Sequence, residues 1–302
     1  MHAFLEAHMG EKPALQPKAA IGPAVRAIAV AILGEARSAI IDPERSQQKA
    51  VHDFRRAMKQ WRALMRLLQP FIPDATELRQ QARDHARSLG RARDGQSALN
   101  AFDDLMKKTV ALSMRSAATI RARIEAIRGS EEGAVLTQEL RDTILAWLDA
   151  TTEAVEQWPL DPFDFSSIAA QLAVGYREAR RRIPDDWSQA TAEDLHELRQ
   201  RAVDHRYQMD LVEPLWPRHG RMWTAEAERM RDRLGRCQDL EILKRLTGPH
   251  QPLAPWRSRL TPACAERTAA LAHRAARIAS RLFAEKPKAF RRRLETLWDH
   301  GR

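Results

Sequence analysis

Apolar residues return every three or four positions along almost the whole chain, the period of an amphipathic α-helix. No run alternates at the period of two that a half-buried strand requires. The pattern predicts an all-α fold with helices near 20–40, 44–69, 74–106 and 108–128, one near 135–157, and a second series near 164–182, 191–213, 218–247 and 258–284. Prolines set the breaks: Pro43 at a helix start, Pro70 and Pro73 in a turn, Pro159 and Pro162 ahead of the second series, and Pro184, Pro214 and Pro217 within it. Residues 248–255, with Gly248, Pro249, Pro252 and Pro255, read as a loop, and a short basic helix is expected around 290–298. The apolar segment 19–41 is interrupted by Pro23, Arg26, Glu35 and Arg37, so it is an amphipathic helix with Ile21, Val25, Ile28 and Ile32 inside and not a membrane span.

The helix over 51–68 has two unlike faces. His52, Arg55, Lys59, Arg62 and Arg66 stand at offsets 0, 3, 7, 10 and 14 from the histidine, which confines them to an arc of roughly 80°. Phe54, Met58, Trp61, Met65 and Leu68 fill the opposite arc, and Arg56 flanks the basic one. Like charges three and four apart repel by a few tenths of a kcal/mol per pair, and no carboxylate of this helix is interleaved to relieve that. A solvated helix face ordinarily mixes both signs. The stripe, about 21 Å long at the helical rise, therefore calls for an extended anion.

A second segment repeats the pattern in weaker form. His196, Arg199 and Arg206 reproduce offsets 0, 3 and 10, with Tyr207 beside them, but Gln200, Val203, His205 and Asp210 stand where the first copy has Arg56, Lys59, Trp61 and Arg66. Its apolar arc holds Leu195, Leu198, Ala202 and Met209. Downstream of each histidine comes a matched run, Leu89-Gly90-Arg91-Ala92-Arg93-Asp94 and Leu234-Gly235-Arg236-Cys237-Gln238-Asp239, ending 42 and 43 residues after it. Two motifs in one order at one spacing indicate an internal duplication with a period of about 145 residues, longer than a solenoid repeat. Gly90 and Gly235 would let helices approach closely. Asp94 and Asp239 are expected to hold an arginine by ion pairing, and His85, His205 and His273 to be packing or surface residues.

These runs, together with Tyr176-Arg177-Glu178-Ala179-Arg180-Arg181, resemble the CHAD family, the conserved histidine α-helical domain, over roughly residues 19–285. The resemblance implies two tandem four-helix bundles related by pseudo-twofold symmetry, enclosing a central basic groove or pore that binds inorganic polyphosphate. It also implies association with polyphosphate or polyester storage granules. The residues it assigns to binding are His52, Arg55, Arg56, Lys59, Arg62, Tyr176, Arg177, Arg180, Arg181, His196, Arg199 and Arg206. Arg66 and Tyr207, on the same helix faces, and Arg91 of the glycine motif complete the set. The expected division is a leader at 1–18, a first bundle at 19–129, a connecting helix and linker at 130–162, a second bundle at 163–285 and a basic tail at 286–302, with Gly129-Ser130-Glu131-Glu132-Gly133 as the boundary.

Composition narrows the function classes. Fifty basic residues, 41 of them Arg, face 40 acids for a net charge of +10, a balance that favours polyanions through steering and counterion release. Guanidinium groups bind phosphate oxygens in pairs, and an imidazole adds a donor and, once protonated, a charge. Eight Trp, eight Phe and two Tyr do not form a series of stacking platforms for bases, which places nucleic acid second as a partner, bound without sequence preference. No phosphate-cradling glycine loop with Lys-Ser/Thr and no Glu-x-Glu-x-Lys strand is present. His52-Asp53 spells the dyad of metal-dependent phosphohydrolases, but adjacent helical side chains diverge by about 100°, so a non-catalytic protein without metal or cofactor is expected. Cys237 and Cys264 offer neither a disulfide framework nor zinc spacing, and with no signal-peptide core in 1–18 the expected compartment is the cytoplasm.

Overall fold

The computed structural model describes residues 14–89, 94–108, 112–131 and 136–301. Among them lie eleven α-helices and no strand: α1 (Ile21–Ile41), α2 (Gln47–Leu68), α3 (Ala75–Ser88), α4 (Asp94–Lys108), α5 (Met114–Glu131), α6 (Gln138–Glu156), α7 (Phe165–Arg181), α8 (Ala192–Leu211), α9 (Pro217–Arg245), α10 (Arg257–Leu282) and α11 (Pro287–His300). Local chemistry sets their starts. The Ser46 hydroxyl accepts from the Lys49 N–H at the head of α2, Asp164 accepts from Ser167 ahead of α7, and Thr191 and Asp194 form a reciprocal capping box for α8. Pro217 and Pro287 open α9 and α11 as first helical residues.

Two expectations are corrected. Pro43 lies in a turn and not at a helix start, since α2 opens at Gln47 behind the Ser46 cap. Residues 74–106 form two helices, α3 and α4, where the periodicity predicts one. The reason lies in packing partners: α3 lies against α2, whereas α4 lies against α5, α9 and α10 of the other half. The change of neighbours falls between the end of α3 and the start of α4; residues 90–93, Gly90 and Arg91 among them, lie outside the described residues. In the second half the corresponding stretch is the uninterrupted α9, with Gly235 inside it.

The apolar arcs read from the sequence are buried as expected. Phe54, Met58, Trp61, Met65 and Leu68 of α2, and Leu195, Leu198, Ala202 and Met209 of α8, join one core that continues through both halves. Helix pairings recur in order: α1 with α2 and α7 with α8, α2 with α3 and α8 with α9, α4 with α5 and α9 with α10, α1 with α6 and α7 with α11. The halves meet where α2 crosses α8 and α4 crosses α9. At the first crossing the buried Gln208 amide donates to the Ala63 carbonyl at 3.2 Å. Beside the second, Arg267 of α10 binds Asp104 of α4 bidentately at 2.7 and 3.0 Å. That pair is largely desolvated, so truncating either partner would cost about 3–5 kcal/mol. No described helix is long and apolar enough to cross a membrane.

Candidate functional site

The two histidine helices pack against each other, which puts the α2 stripe within reach of groups from the other half. Along the stripe His52 and Arg56 are exposed, while Arg55, Lys59, Arg62 and Arg66 are half-buried. Toward its C-terminal end α3 contributes two further cations, Arg79 and Arg83, which together with Arg66 act electrostatically on Arg62. Burial, reinforced by these neighbouring arginines, holds the guanidinium groups of Arg62 and Arg79 below their usual range, and Asp204 works against that shift. The buried Nε of Arg62 has no hydrogen-bond partner among the described residues. An unsatisfied buried donor costs about 1–3 kcal/mol, so the cluster is short of acceptors.

Two carboxylates enter this end from the second half. Asp204 Oδ2 of α8 lies 3.2 Å from Arg66 Nε and 3.8 Å from Arg201 Nη1. Glu178 Oε2 of α7 lies 3.4 Å from both Arg66 Nη1 and Arg201 Nη1. Arg62, Arg66, Arg79 and Arg201 thus gather around Asp204, with Glu178 paired to Arg66 and Arg201 and with Arg83 next to Arg62 and Arg79. The Asp204 side chain keeps 21 % exposure, yet burial outweighs Arg66, Arg62 and Arg79 and pushes its carboxyl up to about 6.

The second histidine helix is arranged differently. The His196 ring lies 2.6 Å from the Gln200 amide nitrogen. Arg206 pairs with Asp210 at 3.3 Å and lies over the Tyr207 ring, 4.5 Å from its centroid. Arg199 runs along α9 at Gly235, where an added Cβ would stand 3.3 Å from its Nε. The glycine therefore makes room for a guanidinium and not only for a helix. A cleft of about 1040 Å³ opens here, bounded by α8, α9, α10 and the start of α4, with His196, Arg199, Lys244, Asp94 and Asp239 on its walls. Both acids of the duplicated motif thus face one cavity. Cys237 and Cys264 sit against it too, their thiols pushed up to about 12 by burial, as small apolar groups would behave.

Several predicted binding residues sit elsewhere. Tyr176 is fully buried, stacked on Phe290 at 4.3 Å, with its hydroxyl donating to the Glu285 carbonyl at 3.2 Å. It is a core residue because α11 packs on α7 and covers it. Tyr207 keeps only 5 % exposure, so its ring supports Arg206. Arg177, Arg180 and Arg181 are exposed on α7, and Arg180 lies close enough to Tyr176 to bias its hydroxyl. Arg91 lies outside the described residues. As expected, His205 and His85 are packing groups: His205 is buried and accepts from Trp223 Nε1 at 2.7 Å, and His85 lies on Trp147 at 4.8 Å.

The residues that sequence reading missed are Arg79, Arg83, Arg201, Glu178 and Asp204. For the first two a signal existed, since Arg79, Arg83 and Arg87 repeat at a helical spacing of four. The histidine–aspartate dyad does not converge on a common point: Asp53 turns to Arg45 at 3.2 Å and Lys49 at 3.9 Å. Among the described residues no group of three or more His, Cys, Asp or Glu side chains could hold a metal ion.

Comparison with known proteins bears on this arrangement. The CHAD domain family model matches residues 31–248. The crystal structure of the CHAD domain from the plant Ricinus communis superposes with a TM-score of 0.58 at 19 % identity, over 94 % of this chain and 95 % of that one, a likeness of fold. No curated protein matches the chain. With the family match covering most of its length and a likeness of fold alongside it, the chain belongs to the CHAD domain family.

Proposed function

We propose that this protein binds inorganic polyphosphate non-covalently along the α2 stripe and its extension on α3, and that this binding is what brings it to polyphosphate or storage granules. The observation that carries the reading is the convergence of Arg62, Arg66 and Arg79 from two helices, with Arg201 from a third, around Asp204 and Glu178, with Arg83 adding its charge beside Arg62 and Arg79. The unfilled Arg62 Nε points the same way. A chain of phosphates supplies what such a row lacks, repeated acceptors at short intervals that guanidinium groups bind in pairs. Binding without chemistry suits a site whose nearby carboxylates are tied to arginines rather than gathered on a metal.

The test is a competition titration of labelled long-chain polyphosphate against single-stranded RNA and heparin at physiological salt, with the His52→Ala/Arg62→Ala double variant alongside. Strong preference for polyphosphate that the double variant abolishes is the expected result. Equal affinity for the three polymers would replace it with general polyanion binding, nucleic acid included.

A further inference from the structure

Asp204 occupies an unusual place for a carboxylate in an anion site. It belongs to α8, yet it faces the arginines of the other half: Arg62 and Arg66 on α2 and Arg79 on α3, with Glu178 of α7 and Arg201 of its own helix completing the surroundings. It stands eight residues after His196, and the position eight residues after His52 is Gln60, an uncharged amide. The repeat unit therefore does not need a carboxylate there to fold. What Asp204 does is occupy acceptor positions on Arg66, a cation of the proposed site.

We propose that Asp204 is a resident counter-anion of the arginine cluster, which a phosphate chain displaces from Arg66 and which takes up a proton from solvent as it is displaced. The inference rests on the polyphosphate reading and adds its regulation. A phosphate oxygen that pairs with Arg66 leaves the Asp204 carboxylate without its closest cation, next to Glu178 and a new negative charge. Desolvation and like charge both favour the neutral acid. The step is a proton transfer: an O–H bond forms on the carboxylate as the buffer acid gives up its proton, up to one for each occupied cluster. Burial has already pushed the carboxyl up to about 6, and the loss of Arg66 acts in the same direction. Binding should tighten as pH falls from about 8 toward 5.5, because the protonated acid no longer competes for the guanidinium groups.

Calorimetric titration of the full chain with long-chain polyphosphate, in buffers of different ionisation enthalpy, measures proton uptake and affinity together. Wild type and Asp204→Asn are compared. Imidazole protonation is common to both and cancels in the difference. Asp204→Asn is expected to bind roughly tenfold tighter at pH 8, where a unit negative charge near the ligand has been removed, to take up fewer protons, and to lose part of the pH dependence. Binding by Asp204→Asn that is no tighter at pH 8, or proton uptake equal to wild type, overturns this inference and leaves the polyphosphate reading standing. Absence of polyphosphate binding by wild type at every pH overturns both. Should circular dichroism show Asp204→Asn unfolded, Glu178→Gln decides. It removes one of the two carboxylates that Arg66 and Arg201 share and keeps the other, Asp204, so tighter binding with proton uptake retained supports the displacement scheme, and unchanged or weaker binding overturns it.

Discussion

The two histidine helices share a pattern and divide the work. On α2 the cationic stripe runs without an acid of its own, and α3 widens it with Arg79 and Arg83. On α8 the same offsets carry groups that engage one another: the Gln200 amide hydrogen-bonds the His196 ring, and Asp210 with the Tyr207 ring surrounds Arg206. The carboxylates closest to the α2 cluster, Asp204 and Glu178, come from this second half as well. The same residue pattern thus presents a cationic face on one helix, the face proposed for binding, and supplies counter-charge and support on the other. The cores diverge in parallel: Trp61 fills the position in α2 that His205 fills in α8, and both are buried.

The sharpest way to break this comparison is a charge reversal on each helix. Arg62→Glu is expected to weaken polyphosphate binding at least about 30-fold, or about 2 kcal/mol. Arg206→Glu should lose less than about fivefold, since its guanidinium already faces Asp210. Equal losses in the competition titration would mean that net charge, not the α2 face, controls affinity.

The cores should part in acid. Burial holds the His205 imidazole down to about 3, against about 6.5 in an unfolded chain. Between those values the unfolded state binds the extra proton, so the contribution of His205 is complete above about 6.5 and is lost as pH falls toward 3. Asp204, raised to about 6, works in the opposite sense, since its folded form binds the extra proton between about 4 and 6. His205→Phe should lower the thermal midpoint at neutral pH, because Trp223 loses its acceptor at a cost of about 1–3 kcal/mol. It should also flatten the fall of the midpoint between pH 6.5 and 4, as followed by circular dichroism. A variant that keeps the wild-type acid slope would assign acid unfolding elsewhere.

Restoring first-half residues to α8 sharpens the contrast in the other direction. Gln200→Arg with Val203→Lys should tighten polyphosphate binding by about three- to tenfold and steepen the salt dependence by up to two counterions. No change in the salt slope would show that this face of α8 lies away from the bound chain. The smallest effect is expected from Gly235→Ala. Its methyl would stand 3.3 Å from Arg199 Nε, and a long side chain can yield a few tenths of an ångström, so affinity should fall by no more than about threefold. A loss above tenfold would make Arg199 a principal contact.

Much of the fold was legible in the sequence. The apolar arcs of α1, α2 and α8 and the proline breaks between helices act within a turn or two of helix, and local order is enough to place them. The break between α3 and α4 was not legible, because it follows from α4 packing on α9 in the other half. Tyr176 misled for a related reason. A tyrosine beside arginines looks like a polar contact until α11, more than a hundred residues onward, covers it.

The sequence by itself determined that α2 presents a row of cations opposite a buried apolar face, since the helical period maps each residue to a side without reference to anything distant. Only the tertiary structure decided which of those cations carry counter-charges. Glu178 stands 112 residues from Arg66, and Asp204 lies farther along the chain, in α8. No spacing within one helix encodes their meeting. It depends on the angle at which two helices cross once their apolar faces are buried together, and that angle is set by packing over the whole core.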